Sequence, residues 1–128
     1  MQYTKHFTLA EACAELPNVL KMLEEIVLLK SGLDAKGYDV FRHQYFGGMG
    51  PNGQKVFPPE MERLVVLVRE LHDRGIEIKD LDKGLIDFPH IRANGEEVYL
   101  CYMLGEKTIV AWHPIEGGFA ARESVDKL

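Results

Sequence analysis

The spacing of the apolar residues changes character at Gly75, and that change restricts the chain to a mixed fold. Upstream, Leu9, Cys13, Leu16, Leu20, Leu23 and Val27 recur every three or four residues, which is one stripe along a helix. Met61, Leu64, Val68 and Leu71, flanked by Val65 and Leu67, repeat the pattern in a second helix. Downstream, residues 85–92, 97–104 and 108–113 are rich in branched and aromatic side chains and read as strands, with 76–79 a shorter candidate. Helices followed by strands indicate an α+β domain. The expected architecture is an antiparallel helical hairpin of two long helices packed with a small antiparallel β-meander of three to four strands.

Local signals set the boundaries. Thr8-Leu9-Ala10-Glu11 is a capping box, and Phe7 before it is placed to staple against Ala12. Helix 1 is expected over 8–33, kinked near Cys13 by Pro17 and ended by Ser31-Gly32. Residues 34–58 mix Gly47, Gly48, Gly50 and Gly53 with Tyr38, Phe41, Tyr45, Phe46 and Phe57, which suggests an ordered excursion rather than a linker. Pro58-Pro59-Glu60 opens helix 2, over 59–75, and Gly75 closes it. The meander takes 76–113 and a tail takes 114–128. At 128 residues the chain suits a single domain.

Several functional classes fall away. Fifteen basic against 20 acidic residues give a formal charge of −5, which argues against nucleic acid as a partner. No apolar run is long enough to cross a bilayer, and the first residues lack the pattern of a signal peptide, so no membrane partner is expected. Two cysteines, Cys13 and Cys101, argue against a disulfide framework and fit a reducing cytoplasm. No CxxC, HExxH or GxxxxGK[ST] occurs. No cofactor is expected.

Strand register decides which side chains meet. A two-residue turn at Asn94-Gly95 would place Asp87 opposite Tyr102 and Phe88 opposite Cys101. With a second tight turn at 105–107, one face would carry Leu85, Asp87, Pro89, Val98, Leu100, Tyr102, Leu104, Ile109, Ala111 and His113. The other would carry Ile86, Phe88, His90, Tyr99, Cys101, Met103, Val110 and Trp112. Both faces are mainly apolar, and a helical hairpin covers only one. The excursion, the tail or a second subunit must cover the other, so a homodimer is expected.

Gly84-Leu85-Ile86-Asp87-Phe88-Pro89, Val98-Tyr99-Leu100-Cys101, Gly105-Glu106, Trp112-His113 and Gly118-Phe119-Ala120-Ala121-Arg122, with the opening Phe7-Thr8-Leu9-Ala10-Glu11-Ala12 and Leu16-Pro17, resemble DUF2203. That is a bacterial family of small uncharacterised proteins. The resemblance spans both helices and the sheet. Tyr102 stands where the family commonly has tryptophan, and Ala121 where it has glycine. No activity comes with the resemblance.

Asp87, Tyr102 and His113 are the catalytic candidates: a carboxylate to orient an imidazole and a phenol to donate a proton. The same trio also reads as a buried polar network that fixes register or a subunit contact. Glu106, Trp112 and Arg122 are binding candidates. Arg122 is placed to fold back onto Asp87 or Glu106, and Trp112 to stack a planar ligand beside Tyr99. Cys101 and His113 fall on opposite faces in this register, so no metal site is expected and Cys101 reads as a small core residue. The glycines at 47–53 offer a weak anion cradle without the lysine of a P-loop. Two functions stand out. The first is a non-catalytic module for a protein or small-molecule partner. The second is a small enzyme with an acid–base site at Asp87, Tyr102 and His113.

Overall fold

The computed structural model describes residues 2–41 and 58–128. Two helices, α1 (Leu9–Ala35) and α2 (Pro59–Asp73), precede a sheet of β1 (Glu77–Asp80), β2 (Leu85–Ile91), β3 (Glu97–Met103), β4 (Ala111–Pro114) and β5 (Glu123–Ser124). The strands lie in sequence order and every neighbouring pair is antiparallel. The fold is α+β with five strands rather than three to four. The extra strand is β5, in the segment expected to be tail, where two residues pair with Ala111 and Trp112. The part of the expected excursion at 42–57, including the glycines at 47–53, lies outside the described residues. No helix among the described residues is long and apolar enough to cross a membrane.

Each helix end has a local cause. Thr8 accepts from the Glu11 amide while Glu11 accepts from the Thr8 amide, so the capping box forms. The chain runs through Pro17 and past Gly32 as helix. Gly37 ends it instead, at φ 73°, with the Gly37 amide on the Asp34 carbonyl and the Tyr38 amide on that of Leu33. Gly32 does not stop the helix, because the buried stripe runs on to Leu33. Gly75, at φ 86°, closes α2 in the same way.

The buried stripe of α1 is Ala12, Leu16, Val19, Leu23, Ile26, Lys30 and Leu33. It shares Leu16 and Leu23 with the expected stripe but is turned by about one position, leaving Leu9, Cys13 and Leu20 partly buried. In α2 the stripe is Met61, Leu64, Leu67 and Leu71. Ion pairs join Lys36 to Glu60, Glu25 to Arg63 and Glu15 to Arg74, so positions rising along α2 meet positions falling along α1. The helices share one apolar core with Ile86, Phe88, Val98, Leu100, Tyr102 and Trp112 of the sheet. Lys30 enters this stripe as a charge. Its ammonium meets both oxygens of Asp34 at 2.8 and 2.7 Å and Asp82 at 2.9 Å, hydrogen bonds that push its pKa up.

Both sheet registers differ from the expected ones by one residue. Asp87 pairs with Cys101 and Phe88 with Leu100. The Arg92 amide bonds the Glu96 carbonyl and Gly95 adopts φ 88°, which makes a three-residue loop of Ala93, Asn94 and Gly95. The β3–β4 connection is wider than a tight turn, and Tyr99 pairs with His113. Each slip inverts a strand. The two slips cancel between β2 and β4, so only β3 is turned over. One face therefore carries Asp87, Tyr99, Cys101 and His113, and the helices cover the other. Asp87, Tyr99, Cys101 and His113 are all buried within one chain. Among the described residues, this face of the sheet is therefore not an open apolar surface.

Gly84 immediately precedes β2 at φ 68°, and a Cβ there would stand 2.8 Å from that of Leu104. The Leu104 amide bonds the Gly84 carbonyl. Gly84→Ala should lower stability by at least about 1–2 kcal/mol, the cost of a left-handed alanine. Urea denaturation checks this, and an unchanged midpoint would mean that the turn relaxes freely.

Candidate functional site

The inverted face is a polar cluster inside a protein. Asp87 projects from the middle of β2 and His113 from β4, and they meet across β3. His113 Nε2 lies 3.1 and 3.0 Å from the two Asp87 oxygens, and both residues are about 2% exposed or less. Cys101, directly opposite Asp87 on β3, is fully buried and completes a group whose Oδ, Sγ and Nε2 atoms lie within 4.8 Å of one another.

The other imidazole nitrogen fixes the proton count. Nδ1 lies 2.8 Å from the Pro114 carbonyl, which only accepts, so Nδ1 carries hydrogen. Nε2 faces a carboxylate, which also accepts when ionised. One further proton sits between them and makes the ring an imidazolium beside the carboxylate. Burial pushes the His113 pKa down, but the Asp87 hydrogen bond, the Pro114 carbonyl and the Asp87 charge outweigh it, so the value is raised from 6.5. Burial, with the Asp87 charge, pushes the Cys101 thiol up to about 12.

A polar cover closes the cluster. Tyr99 stacks at a tilt 5.3 Å from His113, and Tyr3 meets Tyr99 edge-on at 5.6 Å, with the two hydroxyls hydrogen-bonded. Lys79, the extra residue of a bulge between Ile78 and Asp80, sits 4.6 Å from the Tyr99 ring centre. Glu97 holds the N-terminal segment through the Gln2 and Tyr3 amides and His6. The contact with His6, helped by these amides, pulls the Glu97 carboxyl below its usual range.

Of the six residues singled out from sequence, Asp87 and His113 meet, and Arg122 meets Glu106. Arg122 Nη2 reaches both Glu106 oxygens, at 3.0 and 2.9 Å, and not Asp87. Glu106 also accepts the Met103 amide at 2.7 Å and so closes the end of β3. Tyr102 does not join Asp87 and His113. Inversion of β3 sends it to the helix-covered face, where its hydroxyl donates to the Glu106 carbonyl and burial raises its pKa. Trp112 lies on that face too, away from Tyr99. Its indole N–H donates to the Ser124 carbonyl and Arg92 stacks on it at 4.5 Å, so it does not offer a free stacking surface. Sequence reasoning missed Cys101 as a member of the cluster. Charge gave no signal for it, since Arg92 faces Glu96 across the three-residue loop and would face Glu97 across a two-residue one.

Among the described residues, a second feature is open. A cleft of about 630 Å³ lies between α2 and β1. Met61, Leu64, Val65, Val68, Ile76 and Ile78 give it an apolar lining, with Arg69, His72, Lys79 and Asp82 as exposed polar neighbours. Neither Asp87 nor His113 lines it. The size is that of a small-molecule site.

A family model described as an uncharacterized conserved protein matches residues 5–125, nearly the whole chain. The chain belongs to the DUF2203 family. No curated protein and no solved structure matches it. DUF2203 membership carries no activity, so the chemistry of this chain rests on its own geometry.

The pair makes stability depend on pH. His113 binds its proton more tightly folded than unfolded, so its contribution is complete below pH 6.5 and is lost as pH rises through its raised folded pKa. Asp87→Asn supplies an amide N–H to a neutral Nε2 and should flatten that slope while staying folded. His113→Leu strands the Asp87 charge and should cost about 3–5 kcal/mol near neutral pH. Urea midpoints from pH 6 to 9 test both. Equal slopes in the parent and Asp87→Asn would refute the assignment.

Proposed function

We propose that this DUF2203 protein is a non-catalytic module that binds a small amphipathic ligand in the cleft between α2 and β1. The observation that carries the reading is the separation of chemistry from access. The candidate acid–base pair, Asp87 and His113, is buried, and the open concavity is lined by apolar side chains with charges of both signs beside it. The acid–base alternative lacks its proton donor, because Tyr102 lies on the opposite sheet face with its phenol pKa raised. In this reading α1 and α2 form an antiparallel hairpin that backs the sheet and gives the cleft one wall. The pairing of Lys30 with Asp82, a cleft residue, ties that wall to the β1–β2 turn.

The dye 1-anilinonaphthalene-8-sulfonate has an apolar ring system and one charge, and serves as the probe. It should bind saturably with one site per chain. Val65→Trp, which fills the cleft from a partly exposed position, should weaken binding at least about tenfold, or about 1.4 kcal/mol. Val110→Trp, at an exposed position outside the cleft, should leave it unchanged. Equal binding by both variants would sink the assignment.

A further inference from the structure

We propose that Asp87, Cys101 and His113 form a site for one divalent ion of the zinc class. The inference is independent of the cleft and concerns the buried face of the sheet. Three adjacent strands each supply one ligand atom, and all three residues are buried.

The geometry that holds the hydrogen bond also suits an ion. His113 Nε2 approaches both Asp87 oxygens almost equally, at 3.1 and 3.0 Å, instead of aiming at one. Two ligand atoms each about 2.0 Å from a tetrahedral zinc stand about 3.3 Å apart, close to this separation. The donor set of one imidazole nitrogen, one thiolate and one carboxylate suits a borderline ion better than calcium or magnesium, which take oxygen. His113 is already held as a ligand would be. Its Nδ1–H donates to the Pro114 carbonyl, which turns the Nε2 lone pair into the cluster.

Charge balance holds with and without the ion. Without it the cluster is one carboxylate, one imidazolium and one thiol, with a net charge of zero. Binding a dication displaces the Nε2 proton and the Cys101 thiol proton, leaving carboxylate, thiolate and neutral imidazole around two positive charges, again zero. A buried site tolerates both states because neither adds net charge to the interior. Two protons therefore leave for each ion bound.

The test is native mass spectrometry of untagged protein from cells grown with added zinc and purified without chelator. The expected mass is that of the chain plus one zinc ion less two protons. Asp87→Asn keeps the contact with His113 through its amide and is the variant that should remain folded. It and Cys101→Ser should each weaken zinc binding by more than about 100-fold, beyond the loss typical of residues that only support a ligand. Cobalt substituted for zinc should show a thiolate charge-transfer band that Cys101→Ser abolishes. Metal-free parent protein under these conditions would overturn the proposal. So would one zinc retained at full strength by both variants, which would put the ion elsewhere.

Discussion

The contact between Asp87 and His113 passes over the central strand of the sheet and fixes the rest of the polar face. Asp87 belongs to β2 and His113 to β4, so the pair ties the two strands that flank β3 to one another. A shift of one residue would replace Cys101 and Tyr99 beneath the pair with their neighbours. Breaking one partner leaves a buried charge, a larger loss than most single contacts in the apolar core. The sheet is thus held by apolar packing on one side and by a directional polar contact on the other.

The two faces divide the labour of folding. On the helix side, Ile86, Phe88, Val98 and Leu100 need only an apolar neighbour, and α1 and α2 supply it. The polar side needs matched donors and acceptors. These come from short pieces at the margins of the sheet: Tyr3 on Tyr99, Lys79 at the bulge of the edge strand β1, and Arg122 on Glu106. Lys30 shows the same rule inside the helical layer, where two carboxylates accompany one buried ammonium. Every buried charge in this arrangement has a partner of opposite sign at hydrogen-bond distance.

Much of the fold was legible in the sequence because its signals are local. The capping box at Thr8, the glycine stop at Gly75 and the changed period after it each depend on a few neighbouring residues. Asp87 and His113 were placed on one face by two errors of register that cancelled. Tyr102 was placed beside them by one error that did not. Asn94-Gly95 suits both two- and three-residue loops, and nothing in the dipeptide itself chooses between them. Charge does not choose either, since Arg92 meets Glu96 in one register and Glu97 in the other. Lys30 stayed hidden because a lysine on an apolar stripe reads as a gap until the distant Asp82 is seen beside it.

The tether of the N-terminal segment to Glu97 bears on the order in which the molecule closes. Tyr3 and Tyr99 are 96 positions apart, so a chain made from its N-terminus holds Tyr3 idle until β3 has emerged. By then both helices have left the ribosome and can pack together. His113 arrives later still. In the nascent protein the polar face therefore passes through a period when Asp87 and Cys101 are present and uncovered. Only when β4 pairs with β3 does His113 reach Asp87 and complete the set.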